Sequence, residues 1–207
     1  MDAVRFTPAR RASATVRALR ADLAGERVLA GYVGRLAPEK RVGRLAVLAG
    51  LPDVRVAVVG DGPARPAVAR ALQPGGARLL GRLSGEALAD AYAALDVFVH
   101  TGTEETFGQT IQEAQASGLP VVAPAAGGPL DLVRHRVTGL LYPAEDDAAL
   151  RAAVARLAAD PAARQRMGSA GRAAVEDRSW DAAVGQLLDR YSAVIAAHRR
   201  VSQARPA

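Results

Sequence analysis

Leu95-Asp-Val-Phe-Val-His100-Thr-Gly-Thr-Glu-Glu105-Thr-Phe-Gly-Gln-Thr110-Ile-Gln-Glu-Ala-Gln115-Ala-Ser-Gly-Leu-Pro120-Val-Val-Ala-Pro124 is the stretch that decides the fold. The run 97–99 is short and β-branched, 107–116 has helical spacing of its apolar residues, and 121–124 is a second apolar run after a Gly-x-Pro turn. The reading is strand, polar loop, helix, turn, strand. The loop falls where a strand hands over to a helix, and the first N–H groups of a helix have no internal partner and carry partial positive charge. Anions are drawn to such a junction. Two carboxylates flank it, Glu105 just before the helix and Glu113 about two turns along it. They would repel a phosphate, but they suit paired sugar hydroxyls, which donate to carboxylate oxygens. The plain alternative is a helix-dipole residue and a solvated helix face.

The same alternation extends outward. Apolar runs at 28–33, 54–59 and 77–80 read as strands, and helical spacing recurs at 9–23, with Val16, Leu19 and Leu23 on one side, and after the loop 34–41 through about Ala49. Pro63 is expected to open a helix after Gly60-Asp61-Gly62, Ser84 to cap a helix over 85–95, and Pro129 to start a short helix after Gly127-Gly128, a pair that allows close backbone approach. Three closing helices are expected at 146–159, 161–176 and 179–198. Strands and helices alternating at least five times imply an α/β fold, a Rossmann-like parallel sheet with helices on both faces.

Composition narrows the function. The 207 residues can bury a core; half are hydrophobic, and no run approaches a membrane span. Cysteine is absent, which excludes disulfides and thiolate chemistry. The segment 1–11 is charged and lacks the apolar core of a signal peptide, which points to the cytoplasm, beside the inner face of a membrane or free of it. A net charge of +6 favours an anionic partner, yet only 4% of residues are aromatic and no helix carries a continuous basic stripe, so nucleic acid is not expected. Among 27 Lys and Arg residues only Lys40 is lysine. It shares the strand-to-helix loop Gly34-Arg35-Leu-Ala-Pro-Glu-Lys40 with Arg35, a plausible diphosphate clamp that lacks the P-loop pattern; a solvated loop is the alternative. Gly60-x-Gly62 has no third glycine in register, which argues against a dinucleotide fingerprint. His100, His135 and His198 have no metal-site spacing, and Asp61, Asp96 and Asp131 form no ligand set. His100 ends a strand beside the junction, where it serves packing or reaches a sugar or phosphate.

The string Glu105-Thr-Phe-Gly-Gln-Thr-Ile-Gln-Glu113-Ala-x-Ala-x-Gly-x-Pro-Val-Val resembles the Glu-x7-Glu signature of the retaining glycosyltransferases of family 4, which have the two-domain GT-B fold, and Gly34-Arg35-x4-Lys40 matches a second element of that family. The resemblance covers nearly the whole chain. It implies the carboxy-terminal, donor-binding half, divided as a lead-in segment and first helix (1–24), a Rossmann-like nucleotide-sugar domain (25–178) and a cross-over helix and tail (179–207). By the same resemblance Arg35 and Lys40 hold the donor's diphosphate, with backbone amides around Phe107 to Gln109. Glu105 orients the sugar, Glu113 accepts from the ribose hydroxyls, Arg82 lies against the base, and Gly34, Thr106, Phe107, Gly108, Gln109 and Thr110 complete the donor site. No bound metal is implied. Gly127-Gly-Pro-Leu-Asp-Leu-Val133 with Thr138-Gly-Leu-Leu141 is similar to actinobacterial mannosyltransferases and favours GDP-mannose over other nucleotide diphosphate sugars. In the family a first domain precedes this half and supplies most acceptor contacts, for a lipid or glycan acceptor, so Met1 is expected to mark a trimmed or split chain with little activity alone. The last helix, lacking that domain, is expected to expose apolar surface or pair two copies. A stand-alone nucleotide-binding or regulatory module, and a sugar-nucleotide epimerase or phosphorylase of the same fold, are the alternative readings.

Overall fold

The computed structural model describes residues 2–105 and 107–176, and beyond these residues 184, 185, 188, 190, 191, 194 and 195. Six strands, β1 (Val28–Val33), β2 (Val54–Val59), β3 (Arg78–Gly81), β4 (Val97–Val99), β5 (Val121–Pro124) and β6 (Gly139–Tyr142), form one sheet in the order β3-β2-β1-β4-β5-β6. Every pairing is parallel. Strands β1, β4 and β5 are buried along their whole length because helices cover both faces, which is why they read as continuous apolar runs.

Alternate residues of each strand feed separate cores. Leu29 and Val33 of β1 pack with α1 (Ala14–Ala24), α3 (Gly85–Ala94) and α4 (Gln109–Ala116) on one side. Val28, Ala30 and Tyr32 face α2 (Arg65–Leu72), the 3-10 segment Val42–Leu48 and α6 (Asp147–Ala159) on the other. A two-residue side-chain period is enough to divide the core in this way. Helix α7 (Pro161–Val175) places Met167 in the second core and Val175 in the first.

Among the described residues the expected elements are present, with local differences, and β6 is a strand that the sequence reading did not mark. The leading helix is interrupted at Ser13, whose hydroxyl caps α1 after a 3-10 turn at Pro8–Ala12. The segment after Lys40 is 3-10 rather than α, because Arg41 sits in the left-handed region and breaks the turn between Pro38–Lys40 and Val42–Leu48. Pro63 does not open a helix; α2 starts two residues later with Pro66 in its first turn. Ser84 occupies the N-cap position of α3 without a side-chain hydrogen bond. The helix expected from Phe107 begins at Gln109, since Gly108 takes a φ of 62°. The short helix α5 (Pro129–Leu132) is where Pro129 placed it. Most of the expected helix 179–198 lies outside the described residues. Among the described residues no helix is long and apolar enough to cross a membrane.

Helix α1 is tied firmly to this sheet. Asp96, at the start of β4, accepts from Arg11, from Arg20 Nη2 (2.9 Å) and from the Leu29 N–H (2.8 Å), and Arg172 donates to the carbonyls of Ala3, Phe6 and Ala116.

Candidate functional site

In this strand order the chain reverses direction across the sheet between β1 and β4, and the carboxyl ends of those two strands open a crevice that no connection fills. The crevice is a cleft of about 600 Å³, the size of a small-ligand site. Its floor is Gly34 and Arg35 after β1, one wall is Gly60-Asp61-Gly62 after β2 with Arg82 and Leu83 after β3, and the other is Gln109, Thr110 and Glu113 at the start of α4. Gly60 is required there: a Cβ would stand 1.9 Å from the Gly34 carbonyl oxygen, so the two loops meet backbone to backbone. A smaller hollow of about 280 Å³ lies at the other end of the strands, by Leu51 and Pro74, with only Arg27 and Arg55 as charged lining groups, and offers no comparable chemistry.

Lys40 and Glu105 meet beside the cleft rather than in its lining, next to the Gly108 N-cap of α4. Lys40 Nζ donates to Glu105 Oε2 at 2.9 Å and to the Glu104 carbonyl at 3.2 Å, while Glu105 Oε1 accepts from the Gly108 N–H at 3.0 Å. Burial by itself would raise the Glu105 carboxyl, but these hydrogen bonds outweigh it and hold the pKa below the ordinary value. Two neighbours fix this loop from behind. Thr101 donates from Oγ1 to the Lys40 carbonyl (2.7 Å), and the Gly128 N–H donates to the Glu105 carbonyl (3.0 Å), an approach that a Cβ on Gly128 would block at 2.5 Å.

Glu113 is buried inside the cleft wall, 6% exposed, which removes the reading as a solvated helix face. Its Oε1 accepts from Gln109 Nε2 (2.9 Å) and its Oε2 from the Tyr92 hydroxyl (3.0 Å). Desolvation raises its pKa, and these two hydrogen bonds oppose the rise. His100, at the end of β4, is 1% exposed, with Nε2 at 3.9 Å from Glu105 Oε2; burial lowers its pKa to about 4, so the ring is neutral.

The remaining expected residues divide. Gly34, Arg82, Gln109 and Thr110 line the cleft, and so does Arg35, whose guanidinium pairs with Glu39. Gly108 serves by giving its N–H to Glu105. Phe107 precedes the helix, 56% exposed, and its carbonyl accepts from Gln112 Nε2 (3.0 Å). Thr106 lies outside the described residues. Asp61, weighed in the sequence only as a metal ligand, lines the cleft with Leu83, and Tyr92 reaches Glu113 from behind; a single tyrosine in the otherwise small apolar run Ala91-Tyr-Ala-Ala94 was the available signal for the last. Among the described residues no group of three or more His, Asp or Glu is placed to hold a metal.

Residues 20–174 match the family model described as glycosyl transferases group 1. A GDP-mannose-dependent alpha-mannosyltransferase of Mycolicibacterium smegmatis is 50% identical over 170 residues, 82% of this chain and 44% of that protein. One of Mycobacterium tuberculosis is 45% identical over 205 residues, 99% of this chain and 52% of that protein. The chain thus spans about half the length of the curated relatives it matches. Among solved structures, sucrose-phosphate synthase from Thermosynechococcus elongatus superposes with a TM-score of 0.82 at 30% identity, covering 95% of this chain and 51% of that one. Anabaena HepE in complex with UDP gives 0.79 at 25% identity, covering 93% and 56%. The strand order, the cleft at the switch point, the paired Lys40 and Glu105 and the family match over most of its length together show that the chain belongs to the group 1 glycosyl transferases.

Proposed function

We propose that the chain is the donor-binding domain of a retaining mannosyltransferase that moves mannose from GDP-mannose to an acceptor hydroxyl. The observation that carries this reading is the placement of Glu113, a buried carboxylate in the cleft wall, on the helix whose N-cap Gly108 also holds Glu105, the partner of Lys40. The GDP-mannose dependence of the mycobacterial relatives supports the base and the sugar.

Each residue then has a task. Lys40 exchanges its Glu105 partner for the donor's diphosphate and, with Arg35, stabilises the charge that grows on the leaving group as the glycosidic C–O bond breaks, a term that commonly dominates such catalysis. Released from Lys40 but still held by the Gly108 N–H, Glu105 accepts from a sugar hydroxyl and sets the ring's orientation. Glu113 accepts from the ribose hydroxyls, and Arg82 lies against the base. The lysine and arginine neutralise the diphosphate without a metal. A preceding domain supplies the other wall and most contacts to a lipid or glycan acceptor, so this chain by itself binds donor and transfers little. The enzyme works in the cytoplasm, at the membrane's inner face where the acceptor is a lipid. The division at residues 24 and 178 belongs to the same reading, as does pairing of two copies through the last helix, where Val184, Leu188, Tyr191 and Ile195 are 49 to 59% exposed.

Calorimetric titration of the chain with GDP, UDP and ADP, with and without Mg²⁺, tests this. Saturable, metal-independent binding that favours GDP is the expected result; equal affinities, or none for any of the three, would sink the assignment.

A further inference from the structure

Behind Glu113 stands a residue with no part in the assignments above. Tyr92, in α3, is completely buried, packed edge-on against Phe6 (centroids 5.5 Å apart, planes at 89°) and tilted against Phe98 (5.9 Å). Its neighbours in that core are apolar, and a phenylalanine would fill the same space. The hydroxyl is therefore the informative atom. It lies 3.0 Å from Glu113 Oε2 and 3.3 Å from the Thr110 carbonyl, and its single proton goes to the nearer, charged acceptor.

The count of acceptor positions gives this contact its consequence. A carboxylate offers about four lone-pair sites, two on each oxygen. In Glu113 the protein fills one site per oxygen, Gln109 on Oε1 and Tyr92 on Oε2. One acceptor per oxygen is left for the cleft that Glu113 lines. Two adjacent acceptors on a rigid planar group are what a vicinal diol requires. Gln109 stands on the same helix as Glu113 and moves with it, whereas Tyr92 reaches it from another helix, with its ring held by two aromatic contacts.

We propose that Tyr92 is a positioning residue for donor recognition, whose hydroxyl fixes the Glu113 carboxylate plane so that one free acceptor on each oxygen faces the ribose 2′- and 3′-hydroxyls. This inference rests on the reading of Glu113 as the ribose acceptor. The test is calorimetric binding of GDP and of 2′,3′-dideoxy-GDP to the parent chain, to Tyr92→Phe, to Glu113→Gln and to the double variant. The parent prefers GDP. Tyr92→Phe loses about tenfold in GDP affinity, the size of one hydrogen bond to a charged group, and keeps its affinity for the dideoxy nucleotide, which also reports that the site is folded. Placed on Glu113→Gln, the same change has no further effect. Equal weakening of both nucleotides by Tyr92→Phe, or undiminished GDP affinity, overturns the positioning role. A parent chain that binds both nucleotides equally well refutes the ribose assignment of Glu113 itself, and the role of Tyr92 with it.

Discussion

Lys40 Nζ and Glu105 Oε2 lie 2.9 Å apart although 65 residues separate them in the chain. Their side chains are only 18% and 16% exposed, so water screens the pair poorly. On the proposed reading, each is freed when the donor takes its partner. Lys40→Ala removes the mobile cation and is expected to lower GDP affinity about tenfold. Calorimetry on the variant checks this, with Arg27→Ala, at the far hollow, as the control that changes nothing.

The pH dependence of stability follows from Glu105. Its folded pKa lies below the ordinary value of 4.5, so its contribution is fully present above that value and is lost as pH falls through the depressed one. Glu105→Gln should lower stability at neutral pH and flatten the acid limb of the unfolding curve. Urea denaturation of both proteins between pH 3 and pH 7 measures it, and parallel acid limbs would contradict it.

Glu113 has the opposite sign. Burial raises its pKa above 4.5, so the fold favours the protonated carboxyl and loses stability as pH rises through the raised value. Glu113→Gln, which resembles the neutral acid, is expected to raise the melting temperature at pH 7, with the gain shrinking towards pH 4, while GDP affinity drops about tenfold. A variant that is less stable than the parent at pH 7 would show that the charged form is not the strained one.

Gly128 has an ordinary φ and no conformational need for glycine, yet its Cβ would stand 2.5 Å from the Glu105 carbonyl. Gly128→Ala must displace the Glu105 loop. Transfer by the enzyme should fall roughly tenfold to a hundredfold, because misplacement near an ångström costs that much. GDP binding, assigned in the proposed function to Lys40 and Glu113, should change less, and the ratio of the two losses, measured on the protein with its first domain, is the check.

Asp96 is not among the residues that line the cleft. It holds Arg11, Arg20 and the Leu29 N–H at 9% exposure, away from the cleft. Asp96→Ala is expected to cost about 1–3 kcal/mol, mainly because the buried Leu29 N–H loses its acceptor while Arg11 and Arg20 can turn to water, without altering nucleotide affinity. Urea denaturation combined with the GDP titration separates the two effects.

The sequence by itself determined the architecture. The apolar runs at β1, β2 and β5 fall on the residues where strands stand, because a strand covered on both faces admits few polar side chains, and the helical spacing of Val16, Leu19 and Leu23 marks the face that α1 turns to the sheet. It also carried Glu105, Lys40 and Glu113 as candidates, since their residue types and spacing are local facts. Helix starts were less legible. Gly108 and Arg41 take left-handed conformations that shorten one helix and turn another segment into 3-10, and neither is dictated by neighbours in the chain. Tertiary structure decided what faces what: that Lys40 pairs with Glu105, that Gly128 supports that loop, and that Tyr92 stands behind a buried Glu113. Propensity and hydrophobic periodicity act over a few residues, whereas these contacts join loops and helices that lie together only because the sheet orders its strands β3-β2-β1-β4-β5-β6 and opens its cleft between β1 and β4.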